Sequence, residues 1–522
     1  MRFHDGLLNL AWFFLPPAII GIVYVYFYPV AQDCGFPEAK AAESACYFDG
    51  SKKPAVPAEI APFRLLALGD PQLEGDTSLP KANAPTFPSL ERLWEDGGET
   101  GLGGLRKAAI QLATSDIPKV LQGYRKRLDL WGNDRYLAHV FRTVSWWTQP
   151  THIVVLGDLL GSQWIGDDEF NKRSKRFWKT VFKGTEMVRK EITDRSGRTE
   201  TLGEDERWRK RIIAVAGNHD IGYAGDIDEH RTERFENSFG SVNWDVSFRL
   251  NKSTSDSKWS APSAFQTLFE PPPPELRLII LNSMNLDEPA KSPELRQQSL
   301  DFLDDKLRNH RPHKAEATIL LTHIPLHKKA GVCTDPPFFS FFPSWQGGGI
   351  KEQNHLGEDT SELILDGLVP NAERAVQAIV LNGHDHAGCD TNHYRGSTHT
   401  NDSVSGDSGS ETSPATWHAE RYQPLYAFGD KSNVESGLRE ITVQSMMGSY
   451  SGNAGLLSAW FDEQSQEWKF DYATCPFGIQ HIWWAVHILG LVDIGLWVGG
   501  FVLLVRHEWA ALQEEERKQK TA

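Results

Sequence analysis

The sequence predicts an α/β fold with layered sheets, flanked by one transmembrane helix near each end of the 522-residue chain. Five short apolar runs rich in Val, Ile, Leu and Ala stop abruptly at Gly, Asn, Asp or His, which is typical of buried strands. The intervening segments are long enough for helices to return the chain, so that strands can lie parallel. Two longer apolar runs near the ends of the chain are long enough to cross a bilayer.

The five strand-like blocks carry side chains that bind metals. In chain order they are LALGDPQ (Asp70, Gln72), VVLGD (Asp158), AVAGNHD (Asn218, His219, Asp220), LLTH (His323) and VLNGHDH (His384, His386). A single Gly-Asp after a strand is common by chance, and a lone His at a strand end is usually structural. Five such blocks in one order predict polar groups gathered along one sheet edge. Their oxygens and imidazoles suffice for two divalent cations that share one carboxylate.

Other segments define the remaining elements. We expect helices over 105–147 and 294–309, and a strand, LRLIILNS, after the prolines at 271–274. LREITVQSMM, GSYSGNAG and LLSAWFDEQSQEWKFDY predict closing strands and a hairpin of a second sheet. Because the blocks extend over most of the chain, 61–475 is predicted to be one large domain with insertions.

One of these insertions is expected to be disordered. Residues 390–414 are polar and poor in apolar side chains, which disfavours a packed core. His393 and His399 within it are therefore expected to be solvated.

In order, the blocks resemble the calcineurin-like metallophosphoesterase superfamily, whose pattern is GDx(H/Q), GDxx, GNHD, a lone His and GHxH. The resemblance extends over 61–475 and implies a four-layer αββα sandwich. It implies that one ion is held by Asp70, Gln72, Asp158 and His386, and the other by Asp158, Asn218, His323 and His384. It also implies that His219 protonates the leaving oxygen and that Asp220 orients His219.

Position 72 departs from the commoner superfamily pattern, which has His there. An amide oxygen is a harder and weaker ligand than imidazole, so Gln72 favours Mn²⁺ over Zn²⁺, with Fe also possible in the family. Two divalent ions can activate a water for attack on phosphorus. A histidine near neutral pH can then protonate the departing alkoxide.

The loop after the second block indicates the substrate class. Serine/threonine phosphatases of the superfamily carry GDxVDRG there, whereas this chain has GDLLGSQW without an arginine to clamp a phosphomonoester. Purple acid phosphatases have a Tyr ligand where this chain has Gly161. A phosphodiester, which carries less negative charge, is the better match.

Residues 7–30 and 479–505 are the predicted membrane spans. No charged residue lies between Asp5 and Asp33, and the second run contains one acid, Asp493. A cleaved signal peptide is the alternative for the first run, but the run is long and rich in bulky aromatic residues. Tyr and Trp side chains near the end of the first span and the start of the second indicate one interface level. Asp493 is expected to serve a function or to pair with His487 or with the first span.

The C-terminal KQKTA resembles a dilysine signal for return to the endoplasmic reticulum, which the COPI coat reads in the cytosol. Residues 1–6 and 506–522 are then cytosolic, and the linker 31–60 and the large domain are lumenal. The sequons at Asn251 and Asn401 lie in polar stretches that would face the lumen.

The cysteines limit the possible disulfides, and the net charge limits the possible partners. Cys34 and Cys46 follow the first span closely and could pair in an oxidising lumen, whereas Cys333, Cys389 and Cys475 cannot all pair among themselves. Cys389 is expected to be a small buried residue. The net charge of −15 argues against nucleic-acid binding.

A lumenal diesterase between two spans resembles the endoplasmic-reticulum metallophosphoesterases that remodel glycosylphosphatidylinositol (GPI) anchors, and GDPQ, GDLLGSQW and QSMMGSYSGNAGLL resemble their fungal members. The resemblance implies removal of ethanolamine phosphate from a mannose of GPI-anchored proteins, close to membrane lipids and in support of export from the endoplasmic reticulum. Trp164 is a candidate for stacking on a sugar, or else a packing residue. The alternatives are a non-catalytic cargo receptor or adaptor on the same fold, and a lumenal protein phosphatase.

Overall fold

The computed structural model describes most of the chain in ten segments. These are residues 2–39, 59–75, 85–95, 101–194, 197–250, 272–310, 312–369, 377–396, 416–423 and 434–521. Cys46, His399 and both predicted sequons lie outside them, as does most of the linker 31–60.

The first sheet has its parallel strands at the centre. Numbered in chain order, its described strands are β1 (Phe63–Leu68), β2 (His152–Val155), β3 (Glu186–Met187), β5 (Arg211–Ala214), β15 (Ser451–Asp462) and β16 (Glu467–Ile479). They are arranged in the order β16-β15-β1-β2-β5-β3. β1, β2 and β5 run parallel, and the closing hairpin β15-β16 pairs antiparallel with β1. The sequence predicted this hairpin, but as part of a second sheet; it instead extends the sheet of β1 and β2, while the LREIT segment forms a strand of the other sheet.

The second sheet also has a parallel centre. Its described strands are β4 (Arg198–Thr201), β6 (Trp244–Arg249), β7 (Glu275–Ile280), β8 (Glu316–Leu321), β11 (Ala378–Asn382), β12 (Cys389–Gly396), β13 (Thr416–Arg421) and β14 (Val434–Thr442). Their order is β13-β12-β14-β11-β8-β7-β6-β4, with β7, β8, β11 and β14 parallel. A separate antiparallel pair joins β9 (Phe339–Phe341) to β10 (Ile350–Gln353).

Helices cover the outer faces and both ends of the chain. They are α1 (Phe3–Ala31), α2 (Pro88–Glu95), α3 (Gly101–Gln111), α4 (Ile117–Thr148), α5 (Asp167–Arg176), α6 (Lys190–Thr193), α7 (Asn218–Ile221), α8 (Glu229–Phe239), α9 (Pro293–Leu303), α10 (Glu358–Leu368) and α11 (Gln480–Thr521). A π-helical turn over Leu112–Asp116 joins α3 to α4, and another over Asp304–Arg308 extends α9. The helices predicted over 105–147 and 294–309 correspond to these two runs.

Alternation along the strands builds a four-layer αββα sandwich. In β1, Phe63 and Leu65 belong to a buried cluster with Leu278 of β7, between the two sheets. Leu66 points to the other face and belongs to a second cluster with Val140 of α4. Since burying one such side chain stabilises the fold by about 1.5–3 kcal/mol, a strand that is apolar on both faces favours this four-layer order. The predicted fold class is confirmed.

The prediction that residues 390–414 are disordered is wrong for the first part of this segment. Residues up to Gly396 form β12, which pairs antiparallel with both β13 and β14. His393 is 1% exposed, and its Nε2 lies 2.6 Å from an oxygen of Glu440. The strand is polar, but its polar groups are satisfied internally, so its composition did not reveal its burial.

Helices α1 and α11 pack against each other and are the only described helices long and apolar enough to cross a membrane. Little of either helix is buried within the protein, unlike the core helix of a soluble domain. In α1, Ala11, Ala18 and Val25 are buried at seven-residue spacing, and Gly21 lies directly against Val486 of α11. Small residues let the two backbones approach closely, as in membrane helix pairs.

Asp493 lies in the buried seam of α11. Its side chain is 3% exposed, and its Oδ1 has no hydrogen-bond partner within the described part of the chain. His487 instead contacts Tyr26, with 3.3 Å between its Nε2 and the phenol oxygen. The expected pairing of Asp493 with His487 is therefore not what the structure shows.

Two disulfides link distant parts of the chain, Cys34–Cys475 and Cys333–Cys389. Cys34 therefore pairs with Cys475 and not with Cys46, the nearer partner that the sequence allowed. Cys389 is buried, as expected, and it is bonded to Cys333. Cys34 follows α1 and Cys475 lies on β16 just before α11, so the packing of these two helices brings the cysteines together.

Candidate metal centre

The predicted site residues follow the carboxyl ends of five parallel strands. Asp70 follows β1, Asp158 follows β2 and Asn218 follows β5; His323 and His384 follow β8 and β11 of the other sheet. The strands of each group are neighbours, and carboxyl ends of parallel strands meet at one edge. The structure therefore brings together side chains that are up to 314 positions apart in the sequence.

Four of these residues form the tightest group. One ligand atom each from Asp158, His323 and His384 lies within 4.8 Å of the others. The Oδ1 atom of Asn218 lies 3.0 Å from His323 Nε2 and 3.0 Å from His384 Nδ1. This is the set that the family resemblance implies for one ion.

The remaining residues lie beside Asp158. The Nε2 of Gln72 is 3.0 Å from Asp158 Oδ2 and 3.1 Å from His386 Nε2. Asp70 accepts a hydrogen bond from the main-chain N–H of His384 at 3.1 Å. Asp158 thus lies between the two implied sets, as a bridging carboxylate would.

Main-chain carbonyls fix the buried imidazole of His323 and the half-buried imidazole of His384. His323 Nδ1 donates to the carbonyl of Leu156 at 2.7 Å, and His384 Nε2 donates to that of Gln353 at 2.9 Å. Sequence reasoning missed both partners because a main-chain carbonyl has no side-chain signature. These bonds leave the lone pairs of His323 Nε2 and His384 Nδ1 facing the Asn218 oxygen. Three acceptors aimed at one point fit a cation there, so the donor set suits a divalent metal.

The backbone at the site is strained in a way that aims these side chains. Four of the eight described non-glycine residues with positive φ are Asp70 (+43°), Gln72 (+39°), Asp158 (+50°) and His384 (+74°). Such conformations concentrate at functional sites. Gly157 has φ +93°, and a Cβ there would lie 2.1 Å from His323 Nδ1. The Gly before Asp158 is therefore required for both its φ and the close approach of the ring.

The electrostatics of the buried carboxylates also favour binding of cations. Burial, together with the charge of Asp158, raises the pKa of Asp70 well above its ordinary value. Burial opposes ionisation of Asp158 as well, but the nearby His323, His219 and His384 hold its pKa below the ordinary value. Two carboxylates buried side by side are costly unless cations compensate them, which divalent ions would do.

His219 and Asp220 occupy different environments. The side chain of His219 is 37% exposed, its Nε2 is 3.8 Å from Asp158 Oδ2, and its main-chain N–H donates to Asp158 Oδ1 at 2.8 Å. Asp220 is fully buried and accepts main-chain hydrogen bonds from Leu159, Leu160 and Gly217 at 2.9–3.1 Å. The expected contact of Asp220 with the His219 ring is not among the described contacts. Asp220 instead ties the loop after β2 to the loop after β5.

Trp164 lies on the loop that begins at Asp158. Its ring is 60% exposed and stacks under the guanidinium of Arg231, with 5.0 Å from the Arg231 Cζ to the ring centroid. The rings of Trp164 and Phe342 pack edge to face, with 6.4 Å between their centroids. Trp164 therefore packs on one side and keeps apolar surface open to a ligand.

A buried charge network supports the loops of the second sheet. Glu440 of β14 is fully buried; it accepts hydrogen bonds from the main-chain N–H of Leu326 at 2.8 Å and from the Asn382 side chain at 2.6 Å. Leu326 follows His323 by three positions, and Asn382 precedes His384 by two. Lys328 compensates the carboxylate, with 2.8 Å between Nζ and Oε2. Glu440 therefore anchors both loops that bring imidazoles to the site.

Two sheets whose facing strand ends carry carboxylates, amides and imidazoles define a metallophosphoesterase, a hydrolase of phosphate esters. The family described as "Calcineurin-like phosphoesterase" matches residues 63–388, and the chain belongs to this family. Among curated proteins, Protein TED1 of Saccharomyces cerevisiae is 31% identical over 422 residues, which are 72% of this chain and 78% of TED1.

Two further relatives have similar or shorter matches. An uncharacterized protein of Schizosaccharomyces pombe is 29% identical over 70% of this chain and 79% of its own length. Metallophosphoesterase 1 of Xenopus laevis is 22% identical over 51% of this chain and 58% of its own length. The resemblance to fungal members of the superfamily is therefore confirmed.

Proposed function

We propose that the chain is a dinuclear phosphodiesterase that removes ethanolamine phosphate from a mannose of GPI-anchored proteins in the lumen of the endoplasmic reticulum. The observation that carries the proposal is the convergence of Asp158, His323 and His384 within 4.8 Å at the carboxyl ends of strands from both sheets.

Two ions would be shared among seven side chains. Asp70, Gln72, Asp158 and His386 would hold one ion, and Asp158, Asn218, His323 and His384 the other. When bound, the ions supply Lewis acidity and an activated water. The amide of Gln72 and the surrounding oxygen ligands suit Mn²⁺, which prefers harder ligands than Zn²⁺ does.

The residues around the ligands would handle orientation and proton transfer. His219 is partly open to solvent, and its backbone is fixed on Asp158, so its ring can reach a substrate oxygen without displacing a ligand. We infer that it donates a proton to the departing sugar alkoxide, a step that contributes about 10²- to 10⁴-fold. Trp164 offers an exposed face on which a sugar ring of the anchor glycan would stack.

Three features support a lumenal domain with both termini in the cytosol. The two disulfides require an oxidising compartment, and Cys34–Cys475 lies at the domain end of both candidate spans. The terminal KQKTA would be read by the COPI coat in the cytosol. Tethering confines the enzyme to the surface that displays lipid-linked substrates and membrane lipids, which raises their effective concentration.

Hydrolysis of two model substrates by the full-length protein in detergent tests the activity. After reconstitution with Mn²⁺, we expect turnover of bis-p-nitrophenyl phosphate that exceeds turnover of p-nitrophenyl phosphate. A preference for the monoester would favour the protein-phosphatase alternative. Absence of turnover with Mn²⁺, Zn²⁺ and Fe²⁺ would favour the cargo receptor or adaptor.

Mass spectrometry of anchor glycans tests the substrate. Cells that lack the protein are expected to accumulate GPI glycans with one additional ethanolamine phosphate, and the wild-type gene should reverse the change. Unchanged glycans would contradict the assignment to GPI-anchored proteins, even if diester hydrolysis in vitro is confirmed. A slower exit of GPI-anchored proteins from the endoplasmic reticulum should accompany the glycan change.

A further inference from the structure

The N-terminal half of α4 carries a row of exposed apolar side chains. They are Ile117, Leu121, Tyr124, Leu128 and Trp131, and their spacing of three or four residues places them on one helix face. Their exposed fractions range from 42% for Ile117 to 63% for Leu121. We call this row the α4 stripe. Water-exposed apolar rows of this size mark an interaction surface.

Helix α4 meets both candidate spans at their domain ends. The ring of His139 lies 4.9 Å from Tyr26 near the end of α1 and 6.1 Å from Trp483 near the start of α11. Towards the N-terminus of α4, Trp131 contacts Trp484, with 5.8 Å between ring centroids.

The contacts on the other side of His139 give the direction of α4. Trp147 lies 5.7 Å from Phe27, one residue from the Tyr26 contact. The 16 residues from Trp131 to Trp147 are about 24 Å of helix, yet they meet the two spans at nearly the same level. Helix α4 therefore runs across the pair of spans, so its axis lies along the plane of the membrane that the spans would cross.

The α4 stripe lies on the side from which the spans leave. His139, which touches both spans, follows Leu128 by eleven residues, or about three turns, so the two residues share a helix face. Arg125 and Arg127 lie on opposite flanks of the stripe, and the Arg127 guanidinium is 5.6 Å from the ring centroid of Tyr124. An apolar face with cationic flanks is typical of helices that lie in a membrane interface.

The opposite face of α4 contacts the segment that follows Gln72. Lys126, half a turn from the stripe, pairs with Glu74 at 3.3 Å. Glu74 lies two residues after Gln72. The same helix thus contacts the loop that carries a candidate ligand on one face and presents apolar side chains on the other.

We propose that the α4 stripe lies in the interface of the same bilayer that α1 and α11 cross, as an in-plane amphipathic helix. The inference rests on the proposed membrane attachment. The stripe is continuous with the proposed membrane spans, because its last residue, Trp131, contacts Trp484 at the aromatic interface level of the spans. This continuity favours a bilayer over a protein partner. Such an anchor holds the metal centre at a fixed height and favours phosphodiesters linked to lipid over soluble ones.

Fluorescence quenching by lipids tests this placement. In full-length protein with Cys46→Ser, a single cysteine is introduced by Leu121→Cys on the stripe or by Gln122→Cys beside it. Both positions are exposed, but they differ by about 100° around the helix. Each variant is labelled with a nitrobenzoxadiazole dye and placed, one chain per nanodisc, in phosphatidylcholine with or without dibromo-acyl chains.

We expect the dye at 121 to be quenched at least about twofold more strongly than the dye at 122, because only the stripe reaches the acyl boundary. Equal weak quenching at both positions would overturn the proposal. So would a dye at 121 that becomes buried only when two chains share a disc, since the stripe would then bind a second copy.

Two separate readouts distinguish this inference from the proposed function. Flotation of the protein with vesicles reports membrane attachment; if it fails, attachment and inference fall together. Hydrolysis of bis-p-nitrophenyl phosphate measures the activity of the metal centre. If this hydrolysis is absent while the dye at 121 is strongly quenched, only the proposed activity is contradicted. Leu121→Glu with Leu128→Glu should keep that hydrolysis and slow cleavage of a bilayer-embedded p-nitrophenyl phosphodiester several-fold, whereas Gln122→Glu should change neither.

Discussion

Asp158 faces both candidate ion sites, with 3.4 Å between its Oδ1 and His323 Nε2 and 3.0 Å between its Oδ2 and Gln72 Nε2. Asp158→Asn removes the negative charge that two dications would share. We expect diester hydrolysis to fall by more than about 100-fold, since even outer partners of metal ligands matter by 10- to 100-fold. Metal content by mass spectrometry should fall in parallel. Asp167→Asn, which alters an exposed carboxylate, should change neither, and full metal occupancy in Asp158→Asn would contradict the bridging role.

His219 is the residue whose role depends on the leaving group. His219→Gln should reduce kcat by about 10²- to 10⁴-fold for a diester with a sugar alkoxide leaving group, because that oxygen needs a proton. With p-nitrophenolate, which departs readily unprotonated, the loss should be small. His230→Gln alters an exposed histidine and serves as control. Equal losses on both substrates, or loss of bound metal, would show that His219 does not act as a general acid.

The candidate ligands were predictable from the sequence because each follows directly from a strand and a short polar signature. Asp70 and His384 are examples. Each has a positive φ just after its strand, and this local backbone geometry directs the side chain towards the site. The partners that orient the rings were not predictable, because the carbonyls of Leu156 and Gln353 have no side-chain signature. Asp220 was predicted as a partner of His219, but its carboxylate binds main-chain groups.

At the scale of elements, β14 holds the second sheet's loops through Glu440. Glu440→Gln leaves the ammonium of Lys328 buried without a carboxylate, so we expect a loss of about 3–5 kcal/mol in the free energy of unfolding. Denaturant unfolding of the detergent-solubilised protein measures it, and Glu463→Gln on an exposed turn is the control. The amide oxygen of Gln can still accept from Leu326 and Asn382, but its NH2 group would face Lys328 in place of a carboxylate oxygen. The two loops should therefore be held less firmly, and metal binding should weaken. An unchanged unfolding free energy would contradict the role of this network.

The same carboxylate predicts a pH dependence. Burial opposes ionisation of Glu440, but Lys328 and the hydrogen bond from His393 lower its pKa below the ordinary value of 4.5. A lowered folded-state pKa stabilises the protein above 4.5, and this stabilisation is lost as the pH falls further. Wild-type unfolding free energy should therefore decline below that pH, and more steeply than in Glu440→Gln. Parallel pH profiles of the two proteins would contradict the assignment.

The same network explains why β12 was not predicted. Its sequence, CDTNHYRG, is polar, and polarity in a segment next to a long hydrophilic stretch indicates a loop. The strand is buried because His393 and Thr391 hydrogen-bond to Glu440, a partner 47 to 49 positions away. Such long-range satisfaction of polar groups does not leave a local signal.

At the scale of the whole molecule, Cys34–Cys475 joins the segment after α1 to β16 of the domain, just before α11. The two cysteines are 441 positions apart, so the sequence offered only the nearer Cys46 as a partner for Cys34; the packing of α1 against α11 is what brings Cys475 close. We expect Cys475→Ser to lower the free energy of unfolding by about 2–4 kcal/mol, measured by thermal unfolding in detergent. Cys46→Ser is the matched control and should leave it unchanged. An equal loss in both variants would contradict the pairing.

Helices α1 and α11 pack against each other and both meet the domain at one end, so we propose that their far ends lie on the opposite side of the membrane. In sealed microsomes, added protease should therefore remove an epitope placed after Ala522 and spare the domain. Detergent should expose the domain as well. We propose that KQKTA is a dilysine signal read in the cytosol, so Lys518→Ala with Lys520→Ala should move the protein out of the endoplasmic reticulum, whereas Arg517→Ala should not. A protected epitope beside a digested domain would place the metal centre in the cytosol, where its disulfides would not persist, and would contradict the proposed lumenal substrate.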